Sequence, residues 1–187
     1  MAEPFFTIGH STRALTQFID LLKGAAVDTI VDVRTIPRSR TNPQYNADTL
    51  PGALAAHAIG YEHIAALGGR RGKSAETSPE VNDFWRVQSF HNYADYALTQ
   101  PFRSGLEQLR TLGKQRRCAI MCAEAVWWRC HRRLIADYLL VSGESVLHIM
   151  GEGRLEPAQL TPGAQRQADG SVTYPSIPAH GHPTAAR

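Results

Sequence analysis

The sequence predicts an α/β protein: a single domain with a mainly parallel sheet of about five strands and helices on both faces. Short β-prone runs alternate with segments whose apolar residues recur at helical spacing. The run at residues 29–33 (TIVDV) is nearly all apolar, which is typical of a strand covered on both faces. We expect residues 1–150 to form this α/β domain. Residues 151–187 are richer in glycine and proline, and we expect them to form an extension with a small hairpin around Asp169-Gly170.

The predicted elements alternate along the chain. A strand at residues 4–8 precedes a helix with Leu15, Phe18 and Leu22 on one face, and the strand at residues 29–33 follows. Two strands about 20 residues apart with a helix between them form a right-handed, parallel βαβ unit. Further strands are predicted at residues 60–64, 118–122 and 145–149, with helices from residue 48 or 49 to 59, in the later part of 84–99, at 101–113 and at 130–142.

Composition and charge indicate which broad class of protein the chain belongs to. Hydrophobic residues make up 43% and charged residues 20% of the 187-residue chain, as in ordinary globular proteins. No apolar stretch approaches the roughly 20 residues that span a bilayer, and we see no secretory signal, so we expect no membrane partner. Three cysteines are too few for a disulfide framework and favour a reducing cytoplasm. The net charge is +3, and 17 of the 20 basic residues are arginine, which favours bidentate contact with phosphate or carboxylate.

The most informative stretch is residues 118–134 (CAIMCAEAVWWRCHRRL). Its apolar run, polar turn and amphipathic segment predict a strand, a loop and a helix. Ligands bind at the carboxyl ends of strands in open α/β sheets, so this junction predicts where a site lies. Polar residues also follow the other predicted strands. The candidate catalytic residues are His10, Asp32, Cys122, Glu124, Cys130 and His131, and the candidate anion- or substrate-binding residues are Ser11, Arg34, Arg38, Arg40, Arg132 and His148.

An ordered set of short strings carries a resemblance to a known family. The strings are TIGHS at residues 7–11, DVR at 32–34, SR at 39–40, LGG at 67–69, CAE at 122–124, CHR at 130–132 and HI at 148–149, followed by TP at 161–162 and TYP at 173–175. With these strings the chain resembles the domain-of-unknown-function 488 family over residues 5–175. The resemblance implies a compact α/β domain with a polar site and carries no reaction with it. The tryptophans at residues 127–128 depart from the family pattern, where a smaller or proline-containing turn is expected.

Three kinds of chemistry suit these residues. A helix start and nearby arginines lower the pKa of a cysteine, so Cys122 or Cys130 could act as a nucleophile with His131 or His10 as its base. Against this, free cysteines often serve only as small buried residues. A zinc site is the second account, but there is no Cys-x2-Cys pair, so we expect no metal. Anion binding by converging arginines is the third, and the sequence names no cofactor.

Two hypotheses about function remain open. The first is an enzyme that acts on a phosphate-containing substrate, a small molecule or a nucleic acid, through a Cys/His/Asp/Arg pocket at the strand ends. The second is a non-catalytic nucleic-acid-binding module. It is indicated by basic loops at residues 34–40 and 70–73, with Tyr45, Tyr93 and Tyr96 as aromatic contacts. The sequence identifies neither the substrate nor the oligomeric state.

The two arginines that follow His131 carry separate predictions. The helical wheel places Arg132 beside the buried row. We therefore expect Arg132 to be at least half buried and paired with a carboxylate from another strand end, which leaves Arg34 to meet the ligand. Arg133 stands four residues before Asp137, so we expect a surface ion pair between these two side chains.

Overall fold

The structure, a computed structural model, describes residues 3–177. Six strands form the central sheet: β1 (Phe5–Gly9), β2 (Thr29–Asp32), β3 (Gly60–His63), β4 (Cys118–Cys122), β5 (Val146–Gly151) and β6 (Arg154–Pro157). The α-helices of this part of the chain are α1 (Leu15–Gly24), α2 (Leu50–Ala55), α3 (Gln88–Tyr96), α4 (Gln100–Gly113) and α5 (Arg132–Val141). A separate hairpin consists of β7 (Gln165–Arg166) and β8 (Val172–Thr173).

The central sheet is mainly parallel, and the predicted α/β class is confirmed. Its strand order is β3-β2-β4-β1-β5-β6. Strands β1 to β5 run parallel, and β6 pairs antiparallel with β5 at one edge. The sequence predicted about five strands, and the sixth comes from a tight turn after β5. Gly153, with a φ of 63°, adopts the left-handed conformation that lets the chain fold back there.

Side chains of β4 alternate between the two faces of the sheet. Cys118, Ile120 and Cys122 join the core cluster that contains α3, α4 and α5. Ala119 and Met121 join the cluster that contains α1 and α2. All five residues are buried, which explains why this strand is apolar at every position. Helices therefore cover both faces of the sheet, as predicted.

The strand order brings the loops after β1, β2 and β4 together. β4 lies between β1 and β2 in the sheet, and all three strands are parallel, so their carboxyl ends share one edge. Hydrogen bonds continue past the strand ends. The backbone N–H of His10 donates to Cys122 O at 2.9 Å, and that of Val33 donates to Met121 O at 3.0 Å. The side chains that follow these strands therefore stand on a rigid frame, where ligands bind in open α/β sheets.

Residues that follow β5 cover the outer side of α5. The carboxylate of buried Asp137 accepts hydrogen bonds from Thr161 N at 2.8 Å and from the Tyr174 hydroxyl at 2.9 Å. Arg133 donates to Thr161 Oγ1 at 3.0 Å and lies over the ring of Trp85. The predicted surface pair between Arg133 and Asp137 is therefore wrong. A helical wheel drawn for α5 alone does not include the later segment that covers this side of the helix.

The two-part division of the chain near residue 150 stays a prediction. The predicted hairpin region holds β7 and β8, which pair antiparallel around Gly170. Residues 178–187 of the expected extension lie outside the described residues. No helix within residues 3–177 is long and apolar enough to cross a membrane.

Gly9 ends β1 where the backbone of the loop after β4 passes close by. A Cβ atom at residue 9 would lie 1.8 Å from Glu124 O and 3.0 Å from Ala125 Cα. Both contacts are with backbone atoms. The backbone N–H of Ser11 donates to Ala123 O at 3.0 Å, which holds the two segments together beside this contact. No side chain fits here unless the loop moves away from β1.

We predict that Gly9→Ala lowers the free energy of unfolding by at least about 2 kcal/mol, because the added methyl group forces two backbone segments apart. Chemical denaturation of the purified variant measures this loss. The matched control is Gly72→Ala, since nothing lies within 4 Å of a Cβ atom at residue 72. That control should change stability by no more than about 0.5 kcal/mol. Equal losses in the two variants would contradict the close approach at Gly9.

Candidate functional site

A cavity of about 380 Å³ opens at the edge of the sheet where β1, β2 and β4 end. Asp32 and Arg132 lie behind its wall, in contact with Arg34 and Cys130 respectively. The structure therefore brings most of the candidate residues to one place. Those that line the cavity are His10, Arg34, Arg38, Cys122, Glu124, Cys130 and His131.

Asp32 holds Arg34 in a fixed position at the cavity wall. The buried carboxylate of Asp32 accepts hydrogen bonds from Arg34 Nε at 2.9 Å and Nη2 at 2.6 Å, and from the Tyr61 hydroxyl at 2.7 Å. Arg34 Nη2 also donates to Tyr45 O at 2.7 Å, and Nη1 donates to His10 Nε2 at 3.3 Å. A guanidinium carries five N–H donors. One N–H on Nη1 therefore remains available to a ligand in the cavity.

His10 is held neutral between Arg34 and its own loop. Its Nε2 accepts the hydrogen bond from Arg34, so Nδ1 carries the hydrogen and donates to Ser11 O at 2.8 Å. The ring stacks on Tyr45 with 4.2 Å between centroids. Burial lowers the pKa of His10 to about 4. With both nitrogens engaged, His10 is suited to orient Arg34 and has no free nitrogen to act as a base.

The sulfur atoms of Cys122 and Cys130 lie 2.6 Å apart, although the two residues belong to different elements. Cys122 ends β4, and Cys130 stands just before α5. The helix begins at Arg132, two residues later than the sequence predicted, so Cys130 precedes the first turn. The backbone N–H of Arg132 points at Cys130 Sγ at 3.5 Å. The start of α5 therefore faces this sulfur and favours a negative charge on it.

The surroundings of the two thiols separate their pKa values. Burial acts to raise the pKa of Cys130, but the hydrogen bond from Cys122 and the neighbouring His131 and Arg132 outweigh it and hold this pKa well below its ordinary value. Burial and the adjacent Cys130 raise the pKa of Cys122. The N–H groups of Arg132 that point at Cys130 Sγ agree with this difference and favour the negative charge on Cys130.

Arg132 is the largest fully buried side chain of the described chain, with 2% of its surface exposed. Its Nε donates to Cys130 Sγ at 3.3 Å, and its Nη2 donates to Glu124 O at 2.6 Å. The predicted burial of Arg132 is confirmed, and the predicted carboxylate partner is wrong. The loop after β4 directs a backbone oxygen at the guanidinium of Arg132. The carboxylate of Asp32 pairs with Arg34 instead. The Cys130 sulfur, on which these contacts favour a negative charge, lies beside the Arg132 guanidinium.

His131 connects Cys130 to the loops after β2 and β3. Its Nε2–H donates to Val33 O at 2.9 Å, and its Nδ1 lies 3.5 Å from Cys130 Sγ. The ring packs edge-on against Tyr93 with 5.1 Å between centroids. Gly69 lies against the same ring, and a Cβ atom there would stand 2.4 Å from Nδ1. The glycine pair after Leu67 therefore leaves room for the imidazole beside the thiolate.

Exposed arginines surround the outer part of the cavity. Arg38, Arg70 and Arg129 line it from three different loops. Among the residues of the described chain that line it, Glu124 alone carries a carboxyl group, and this side chain is exposed. Arg38 is also within 3.5 Å of the exposed Asp48 carboxylate, a weak contact in water. Arginine side chains therefore outnumber carboxyl groups on the lining of this cavity.

Three candidate residues lie apart from the cavity. Ser11 has a positive φ of 49° and turns the chain after β1, and Arg40 is exposed on the loop after β2. His148 is buried in β5, where its Nδ1 hydrogen-bonds to Thr7 Oγ1 at 2.7 Å. The ring of Trp127 stacks over His148 with 4.5 Å between centroids, and neither residue lines the cavity. The structure does not bring these three residues together with the others.

Sequence reasoning missed several residues that hold the site. Tyr61 reaches Asp32 because β3 pairs with β2, and no string near Tyr61 reveals that pairing. Tyr45 was noted as an aromatic residue of a basic loop, whereas its ring is fully buried against His10. Arg129 follows two tryptophans, and its place at the cavity depends on the turn that contains them. The sequence does not predict the shape of this turn. The close contacts at Gly9 and Gly69 had one signal in the sequence, the strings TIGHS and LGG that contain these two glycines.

The fold and the site define an α/β protein with a buried thiol pair beneath a basic cavity. A family model described as "Domain of unknown function DUF488" matches residues 14–139, more than half of the chain. The chain therefore belongs to this family, and the resemblance inferred from the sequence is confirmed. No curated protein and no solved structure was found to match. Within residues 3–177 there is no group of three or more His, Cys, Asp and Glu side chains placed to hold a metal ion.

The two buried histidines give the protein a predicted pH dependence. Burial lowers the pKa values of His10 and His148 to about 4. The unfolded chain takes up these protons near the ordinary pKa of about 6.5, whereas the folded chain does not. The unfolded state therefore binds more protons between these values, and the free energy of unfolding must fall as the pH is lowered from about 6.5 to about 4.

We predict that His148→Asn makes this loss of stability with falling pH shallower, because one of the two groups no longer titrates. Urea denaturation at a series of pH values measures the slope. The control is His57→Asn, which replaces an exposed histidine in the turn after α2, outside the buried pair. If wild type and both variants lose stability in parallel, the buried neutral state of His148 is contradicted.

Proposed function

We propose that the protein is an enzyme that uses the Cys130 thiolate as a nucleophile toward a phosphate-containing substrate bound in the basic cavity. One observation carries the proposal. Cys130 lines the cavity, and its sulfur lies 3.3 Å from Arg132 Nε and 3.5 Å from Arg132 N. A thiolate stabilised by a guanidinium and a helix start is an activated nucleophile.

Arginines support the phosphate as the substrate group. Arg34 offers one free N–H from a rigid position, and the exposed Arg38, Arg70 and Arg129 add positive charge at the opening. Guanidinium groups bind phosphate through paired hydrogen bonds, which fixes its orientation as well as its position. Within this proposal His10 and Asp32 are positioning residues for Arg34, because both hold its guanidinium group by hydrogen bonds.

The proposed reaction has two steps. The Cys130 sulfur attacks phosphorus and forms an S–P bond, while the bond from phosphorus to the leaving oxygen breaks. In this proposal Glu124, whose residue lines the cavity, supplies the proton that the leaving oxygen takes up. Water then attacks the phosphocysteine, releases inorganic phosphate and restores the thiolate. Positive charge from the surrounding arginines stabilises the negative oxygens in both steps.

A non-catalytic nucleic-acid-binding module is the second candidate. It is supported by apolar side chains exposed among the arginines: Ile36 at the opening is 58% exposed, and Trp128 beside Arg129 is 46% exposed. An exposed tryptophan next to cationic groups suits the stacking of a single-stranded base. This module needs no thiolate, and the thiol pair below the cavity would then serve the fold alone.

We predict phosphate release from at least one member of a panel of nucleotides, sugar phosphates and short single-stranded DNA or RNA, measured as inorganic phosphate. Cys130→Ser should lower kcat by at least about 100-fold, because a hydroxyl in this position is far less ionised than a thiol. The matched control is Cys118→Ser, since Cys118 lies at the opposite end of β4 and does not line the cavity.

Two results would contradict the enzyme proposal. One is turnover that survives Cys130→Ser. The other is oligonucleotide binding, without turnover, that is unchanged in Cys130→Ser and weakens steeply with salt, which is the result the binding module predicts.

A further inference from the structure

The Cys122 and Cys130 side chains are already directed at one another. Both cysteines are free, and their sulfur atoms are 2.6 Å apart, whereas a disulfide bond is about 2.0 Å long. The loop at residues 123–129 closes between them without a strand or α-helix that would hold the sulfurs apart. Only a small movement therefore separates the two thiols from a bond.

The third cysteine is excluded from this arrangement. Cys118 points to the same face of the sheet as Cys122, but stands four residues earlier on the same strand. At about 3.3 Å per residue these two positions are about 13 Å apart, far beyond the reach of a disulfide. The fold therefore selects one pair out of the three cysteines of the chain.

The two sulfurs have unequal surroundings. Cys130 Sγ accepts hydrogen bonds from Arg132 Nε and from the start of α5, so it carries the negative charge. Cys122 Sγ lies 3.9 Å from Glu124 O, a backbone oxygen that offers it no positive charge. The opposite pKa shifts of the two thiols agree with this division. One sulfur is thus suited to attack an oxidant, and the other to resolve the product.

We propose that Cys122 and Cys130 form an oxidation site that reacts with a small hydroperoxide and closes to a reversible disulfide. The Cys130 thiolate attacks the outer peroxide oxygen, the O–O bond breaks, and hydroxide or an alkoxide leaves as Cys130 becomes a sulfenic acid. The Cys122 sulfur then attacks the sulfenic sulfur, and its proton and the hydroxyl group leave as water. Two electrons pass from the two sulfurs to the peroxide, and a dithiol restores both thiols.

The site reacts with small oxidants because of where it lies. Cys122 and Cys130 are 3% and 5% exposed, and both face the same cavity. The cavity, about 380 Å³ in volume, has room for hydrogen peroxide beside them. Closure would remove the anion beside Arg132 and the nucleophile of the proposed function, so oxidation would switch that activity off. The oxidation itself does not depend on which substrate the enzyme takes.

Peptide mapping of the reduced wild-type chain, treated with one equivalent of hydrogen peroxide and then alkylated, tests the inference. Trypsin cleaves after Arg117, Arg129 and Arg132, so it releases residues 118–129 and the tripeptide 130–132 separately. We expect the two peptides joined through Cys122 and Cys130, with Cys118 alkylated, and separated again by dithiothreitol. Cys130 should be oxidised at least about tenfold faster than Cys118.

Variants assign the order of the two steps. In Cys122→Ser a dimedone adduct should accumulate on Cys130, because no resolving thiol remains.

Three results of the wild-type peptide map would each overturn the inference. They are full alkylation of Cys122 and Cys130 after peroxide, a disulfide within residues 118–129, and a cross-link between two chains. This test uses the wild-type protein, so it holds even if the variant does not fold. Disulfide formation without phosphate release would support the oxidation site and contradict the proposed function. Phosphate release without disulfide formation would support the proposed function and contradict the oxidation site.

Discussion

A buried guanidinium needs a counter-charge, and the rest of the site is arranged around how Arg132 obtains one. No carboxylate of the described chain pairs with it. Its contacts are a backbone oxygen and the Cys130 sulfur. An uncompensated buried charge costs several kcal/mol, so the folded state favours the ionised form of Cys130. Stability and reactivity are therefore linked: the charge that makes Cys130 reactive also stabilises the packing of α5 against the loop after β4.

A second buried pair, Asp32 with Arg34, is built differently. There both charges come from the same strand end, and Tyr61, Tyr45 and His10 complete the hydrogen bonds. This pair is locally neutral and rigid, whereas Arg132 depends on an ionisable thiol. The strand order places both pairs at one edge, because β4 lies between β1 and β2. The position of Arg34 therefore does not depend on the redox state of the cysteines, whereas Arg132 contacts a sulfur that can be oxidised.

Local patterns were sufficient to predict the fold class, the principal helices and strands, and the edge of the sheet where polar residues gather. Cys122 and Cys130 were found because a buried strand, a loop and a helix follow each other closely in sequence. The partner of Arg132 and the contacts of Arg133 were not predicted, because they depend on the path of the loop at residues 123–129 and on the segment after β5. Tyr61 was missed for the same reason: its role arises from the neighbouring position of β3 and β2, which sequence periodicity does not contain.

The ionisation state of Cys130 in the reduced wild-type protein is the most direct test of this account. Carbon-13 labelling of the cysteine Cβ atoms lets each thiol be titrated separately by NMR. The account predicts that Cys130 is a thiolate at neutral pH, while Cys122 remains a thiol and Cys118, whose pKa burial raises to about 12, does not titrate below pH 10 or so. If Cys130 instead titrates at or above the ordinary cysteine pKa of about 8.5, Arg132 has no anionic partner and the account is contradicted.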